Sequence, residues 1–287
     1  MKTKPKDVPS IAELKKICQR FYQDPKGPLS EAFSRHTYLK VSIYVSWLFL
    51  HTNISPNQVT FISLITGLTG CYFLTLPGWY PIIGVILFNL AYIFDIVDGD
   101  IARFRKICSL SGAFFDRLTT AIFDPLMYAA LAYGVYLKLG AFPVLAFGFS
   151  AAISLLLFKT VNGYLHIAVL EPIMHKKHTE MFQLEKTSQK ADGVVSTFFE
   201  YRSTTPFLRY SEFVLGFGLS IALYCAVLLD STLSLTFTFM SITLNLSYLY
   251  LIVTGICLPI VWIVSAAYII KNKMPEQLYS KFFSKEQ

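Results

Sequence analysis

The sequence predicts an all-α integral membrane protein: six transmembrane helices preceded by N-terminal interfacial amphipathic helices. Three observations predict it. Of 287 residues, 54% are hydrophobic and 15% charged, where soluble domains run nearer about 25% charged, and the mean hydropathy is +0.51. The apolar residues gather into runs at about 57–76, 79–94, 110–137, 141–170, 207–229 and 241–270; about 20 residues, rising about 1.5 Å each, cross a hydrocarbon core. The 79–94 run reaches that length only if its helix continues through Asp95 and Asp98. Finally, nearly all of the 25 Lys and Arg residues fall before the first run, at 103–106, between 176 and 209, or after 270. Lys138 alone stands at the opposite face, and the 77–79 and 230–241 turns hold none. By the positive-inside rule both termini are expected in the cytoplasm. The formal net charge of +7 then reflects topology and contact with anionic lipid, not nucleic-acid binding.

Residues 1–54 read as a cytoplasmic tail with interfacial helices. The Lys-rich start does not resemble a cleavable signal peptide. Ser10 and Glu13 form a capping box. Ile11, Leu14, Ile17, Cys18 and Phe21 then recur at helical spacing opposite Lys15, Lys16 and Arg20, a pattern suited to lying on the cytoplasmic leaflet. Pro25, Gly27 and Pro28 end that helix. The segment at about 30–50, ending "VSIYVSWLFL", is too short to span and reads as a second interfacial helix.

Residues 55–272 read as the membrane domain and 273–287 as a cytoplasmic tail. The first span opens with Ser55 as N-cap, Pro56 at the first helical position and Gln58 completing the box; Pro77-Gly78 ends it. Short turns join spans one and two, and three and four. A polar cytoplasmic connection is expected at 172–206. The five cysteines are scattered without a C-x-x-C pair, so packing is their expected role.

Between Phe94 and Thr120 stand Asp95, Asp98, Asp100 and Asp116. Carboxylates at a bilayer edge are costly enough to need a reason. Asp95 and Asp98 are i and i+3, sharing a helix face. Gly99 leaves the backbone open beside them. Asp100 points away from Asp98 and is expected to pair with an arginine, whereas Asp95, Asp98 and Asp116 suit a hard divalent cation, Mg²⁺ or Mn²⁺, that would bind phosphate.

Asp95-x-x-Asp98-Gly99-x-x-Ala102-Arg103, eight residues, then Gly112-x-x-x-Asp116 closely resembles the signature of the CDP-alcohol phosphotransferase (CDP-alcohol phosphatidyltransferase) family, D-x-x-D-G-x-x-A-R-x8-G-x3-D-x3-D. "SPNQVT" at 55–60 is similar to the usual opening of that family's first helix. The resemblance covers roughly 35–270, its specific motif 95–120. It implies transfer of a substituted phosphoryl group from a CDP-linked donor to an alcohol acceptor with release of CMP, in phospholipid or polar-headgroup synthesis, and it implies a homodimer. It further implies Asp95, Asp98 and Asp116 as metal ligands, and Gly99, Ala102, Arg103 and Gly112 as contacts of the CDP portion, with Asn57 a weaker nucleotide contact.

One position departs. Where the family has its fourth aspartate, the general base, this chain has Thr120, which is not a base at neutral pH. Three readings stay open. The acceptor's nucleophile is already anionic or is deprotonated by metal-bound hydroxide; or Asp124, His166, His175 or His178 supplies the base; or the protein is a weakened or silent relative that still binds a CDP-lipid or nucleotide. Asp124 lies about 12 Å beyond Asp116 along the helix and about 80° round, which argues against substitution. At a similar depth on the next span stands Lys159, so an Asp124–Lys159 ion pair is expected. Lys159 alternatively faces an acceptor pocket, with Arg209 and Glu212 as further candidates. A transporter relaying ions through these acids is disfavoured, because the acids cluster at one membrane face and not at mid-bilayer.

Overall fold

The structure, a computed structural model, describes residues 9–19, 38–107, 109–178, 219–233, 236–239 and 242–277. Its elements in chain order are α1 (Ile11–Cys18), α2 (Tyr38–Leu50), α3 (Pro56–Leu74), α4 (Tyr80–Arg105), α5 (Leu110–Leu139), α6 (Pro143–His178), α7 (Leu219–Leu233), β1 (Thr236–Phe239), β2 (Ile242–Asn245) and α8 (Leu246–Lys271). Among the described residues the architecture is helical apart from that one short antiparallel hairpin.

Among the described residues, four helices are long and apolar enough to cross a membrane: α4, α5 from Ser111, α6 as far as Leu165, and α8. As required, α4 runs unbroken through Asp95 and Asp98 to Arg105. Of the other two expected spans, α3 has 19 residues and α7 has 15 described ones.

Local chemistry sets the helix ends. At the start of α3 Ser55 and Gln58 close the expected box: the Ser55 N–H donates to Gln58 Oε1 at 2.8 Å and the Gln58 N–H to Ser55 Oγ at 3.3 Å. Ser109 caps α5, its hydroxyl accepting from the Gly112 N–H at 3.0 Å. The helix stops at Gly140, whose φ of 68° no ordinary side chain favours.

Small residues let the helices approach backbone to backbone, the usual basis of association in a bilayer. A Cβ on Gly70 of α3 would lie 2.9 Å from the Gly84 carbonyl of α4, and one on Gly84 would lie 2.8 Å from the Gly70 carbonyl. On α8, a Cβ at Gly255 would lie 2.6 Å from the Phe147 carbonyl of α6. Thus α3 packs along α4 and α5, α5 along α6, and α6 along α8. The shared core includes Leu74, Val85, Leu131, Ala132, Val144, Ala151 and Leu251.

Three sequence expectations need correction. The apolar face of α1 packs on α2 and α4, not on lipid alone: Leu14 and Cys18 are wholly buried while Ile17 stays exposed. α1 is further tied to α2 by Gln19 Nε2, which donates to the Leu39 carbonyl at 2.9 Å. The connection expected from 172 starts later, because α6 continues to His178. The turn expected at 230–241 is the β1–β2 hairpin, pairing Thr236 with Asn245 and Phe239 with Ile242. "TFTF" and "ITLN" alternate with period two in strand-favouring residues, so the last span begins at Leu246, where Asn245 Oδ1 accepts from the Tyr248 N–H at 2.7 Å.

Candidate functional site

The site forms where the start of α3, the end of α4 and the start of α5 meet. Capping fixes the position of Asn57 and Gly112: each lies in the first turn of a helix opened by a serine. They come together, since a Cβ on Gly112 would sit 3.2 Å from Asn57 Oδ1 and 3.0 Å from Ser109 Oγ. Only glycine leaves that approach open.

Across from them, α4 presents Asp95 and Asp98. The Asp95 carboxylate lies at hydrogen-bonding range of Asp116 on α5, with the charges of Asp98 and Asp124 also near it. One Asp95 oxygen, Oδ1, is buried without a hydrogen-bond partner. Asp98 is buried, and the Thr60 hydroxyl of α3 donates to its Oδ2 while also reaching the Pro56 carbonyl at 3.2 Å. Two carboxylates this close repel unless a proton or a cation stands between them, and burial sharpens that cost. The donor set is all hard oxygen, the set that Mg²⁺ and Mn²⁺ select. The Asp95–Asp116 pair and the orphaned Oδ1 fit such an ion. Asp98 is engaged by Thr60, and among the described residues no three acidic, His or Cys side chains are gathered into one ready ligand cluster.

Arg103 folds back over the same helix. Its guanidinium lies 3.1 and 3.2 Å (Nη1, Nη2) from where a Gly99 Cβ would be, and Nη2 donates to Asp100 Oδ1 at 2.8 Å. Asp100 therefore pairs with an arginine, as expected. Ala102 is half-buried one turn after Asp98. Arg105 ties the end of α4 to the chain before α3, donating to the Thr52 carbonyl at 2.7 Å and to the Ile54 carbonyl.

Thr120 does not reach into this cluster through its side chain. Its hydroxyl donates to its own helix, to the Asp116 carbonyl at 2.8 Å. Deeper in the bundle Lys159 of α6 donates to the Asp124 carboxylate and, at 3.2 Å, to the Thr120 carbonyl. The ion pair expected from matching depth is present. Asp124 is thereby held by a cation. Arg209 and Glu212 lie outside the described residues, as do the side chains of His166, His175 and His178 on α6.

Thr60 and Ser46 are neighbours of the site that the motif does not single out. Thr60 carries a signal: it follows Asn57 by three residues inside "SPNQVT", on a helix face that must meet α4. Ser46 carries none, because only packing of α2 on α4 brings its hydroxyl to Asp100, at 3.0 Å.

Comparison with known proteins agrees with the motif. The sequence model of the CDP-alcohol phosphatidyltransferase family matches residues 53–198, just over half of the 287 residues. That stretch holds every candidate above except Ser46, Arg209 and Glu212. Among curated proteins, the "Bifunctional IPC transferase and DIPP synthase" of Thermococcus kodakarensis is 30% identical over 128 residues, 44% of this chain. The chain spans less than a third of that relative's length, 29%.

Proposed function

The chain belongs to the CDP-alcohol phosphatidyltransferase family, and on that premise we propose that it transfers a substituted phosphoryl group from a CDP-linked donor, CDP-diacylglycerol or another CDP-alcohol, to an alcohol or phosphorylated acceptor, releasing CMP. The observation that supports it most is the half-buried Asp95–Asp116 contact beside the buried Asp98, with one Asp95 carboxylate oxygen unpartnered. These acids lack enough positive charge among themselves. Asp95, Asp98 and Asp116 would hold Mg²⁺ or Mn²⁺, which when bound supplies charge neutralisation at the donor's pyrophosphate.

The chain's own residues do the rest. Gly112 and Gly99, the latter under the Arg103 guanidinium, would contact the CDP portion, and Asn57 Oδ1, beside Gly112, would meet the nucleotide. Arg103 adds positive charge on the same side as Gly99, while Ala102 keeps that helix face low. In the transfer, an acceptor oxygen forms a bond to the donor phosphorus attached to the diacylglycerol or alcohol. The phosphoanhydride bond to the CMP phosphate breaks, and the electron pair leaves with CMP, whose phosphate takes up the proton that an alcohol acceptor gives up. Because residue 120 is threonine, no carboxylate at that position takes the acceptor's proton. This favours an acceptor that needs no carboxylate base. Arg209, by its expected place at the start of the fifth span, would line the acceptor side, while Lys159 is held by Asp124 and the Thr120 carbonyl. The site would face the cytoplasm with both termini, in a six-span protein that pairs as a homodimer in lipid.

The same observation at Thr120 supports a second reading, a weakened or silent relative that binds CDP-lipid without turnover. Purified protein with labelled CDP-diacylglycerol or CDP-alcohols, Mg²⁺ or Mn²⁺ and candidate acceptors separates them. CMP release lost in Asp98→Asn supports the enzyme. Metal-dependent CDP binding without release supports the silent relative. Neither release nor binding would overturn both.

A further inference from the structure

Asp100 stands outside the family motif, yet its side chain is wholly buried. Three helices converge on it. Arg103 Nη2 of α4 donates to Oδ1 at 2.8 Å, Ser46 Oγ of α2 donates to Oδ2 at 3.0 Å, and the Cys18 thiol of α1 donates to its main-chain carbonyl at 3.3 Å. A buried carboxylate is tolerated when both oxygens are bonded and a cation is paired, and here both conditions are met. The pairing also fixes where the guanidinium goes. Arg103, 29% exposed where Asp100 is 0%, lies flat over Gly99, within 3.1 to 3.5 Å of the space a Cβ would take.

We infer that Asp100 is a positioning residue for the donor site: held by Ser46 of α2, it seats the Arg103 guanidinium over Gly99 in the orientation that meets the donor's pyrophosphate. Two features of the chain then share one explanation. Gly99 is needed because the seat lies over its Cα, and the N-terminal helices, remote in sequence from the motif, shape donor binding through Asp100. A planar guanidinium has few ways to bond a carboxylate, so an acid at i−3 with both oxygens engaged holds the far edge of the fork in place. This rests on the functional reading above for Arg103.

A double-mutant cycle tests it. Asp100→Asn keeps the volume and the Ser46 contact but removes the charge that orients Arg103. It should raise the donor KM about tenfold while leaving kcat within about twofold. In an Arg103→Ala background the same substitution should change the donor KM by less than about twofold, since its effect passes through Arg103. Ser46→Ala, a milder variant that keeps the chain folded if Asp100→Asn does not, should raise donor KM about threefold, again only when Arg103 is present. The dissociation constant of CDP with Mn²⁺ is measured in parallel, so the cycle can be read even without turnover. Additive effects of Asp100→Asn and Arg103→Ala, or a donor constant unmoved by Asp100→Asn and Ser46→Ala, would overturn the inference while leaving the transferase reading intact. An Arg103→Ala protein with unchanged CDP affinity would overturn it through its premise, and with it the donor-site reading of Arg103.

Discussion

Two acidic regions lie about two helical turns apart on α5, and they solve the same problem differently. Around Asp124 the charge is balanced within the chain: Lys159 donates to its carboxylate and to the Thr120 carbonyl. Around Asp116 the balance is less complete, because Asp95 faces it with one oxygen orphaned, while Asp98 accepts from the Thr60 hydroxyl with the charge of Arg103 near it. One acid is matched by a cation from the next helix, while Asp95, Asp98 and Asp116 stand together with one oxygen orphaned. On the proposed function, the first region is architecture and the second would take positive charge from a bound metal ion.

The contrast can be broken by substitution, and the largest effect should come from the unbalanced region. Asp98→Asn or Asp95→Asn should reduce CMP release by about 1,000-fold, in the range seen when a charge-stabilising group is lost, with little change in melting temperature. Activity within about tenfold of the parent would show that these acids do not serve a metal-bound donor.

The balanced region should respond in stability. Lys159→Met or Asp124→Leu alone leaves one charge uncompensated and should cost about 3 kcal/mol in unfolding measurements. The double substitution should recover most of that loss. If instead Lys159→Met leaves stability intact and raises the KM for a phosphorylated acceptor, the lysine belongs to the acceptor pocket and the contrast fails on that side.

Thr120→Asp sharpens the boundary between the regions. It adds a fourth carboxylate one turn beyond Asp116 on the same face, and CMP release should fall about tenfold if the native acceptor needs no base there. A sharp rise would identify the natural protein as a weakened enzyme.

The smallest effect concerns the N-terminal helix. Burial, with a smaller push from the charge of Asp100, raises the Cys18 thiol to about 12 from an ordinary 9.0. A group whose pKa rises on folding contributes stability below the unfolded value and loses it as pH climbs toward the folded one. The melting-temperature advantage of the parent over Cys18→Ser should therefore be constant below about pH 8 and shrink between pH 9 and 12. A pH-independent difference would mean that the thiol is not held as described.

Much of this arrangement is legible in the amino-acid sequence. The motif spacing singles out Asp95, Asp98 and Asp116, and equal depth on consecutive spans is enough to pair Asp124 with Lys159. Helix ends follow from Ser55, Pro56 and Gln58. The rest depends on packing between segments distant in sequence: Ser46 reaching Asp100 across 54 residues, Thr60 reaching Asp98, and Asn57 arriving over Gly112. The amphipathic pattern of α1 marks its apolar face but not whether protein or lipid covers it. At 236–245 an apolar run hides a period-two alternation, so a hairpin lies inside what hydropathy alone extends into a span.

The central claim is that the carboxylates left unbalanced by the chain are balanced by a metal-bound CDP group. Equilibrium binding of CDP to the purified protein, with and without Mn²⁺ and in the parent and Asp95→Asn, measures it most directly. Binding that requires Mn²⁺ and weakens at least about 100-fold in Asp95→Asn is the predicted result. Metal-independent binding that Asp95→Asn leaves unchanged would contradict it.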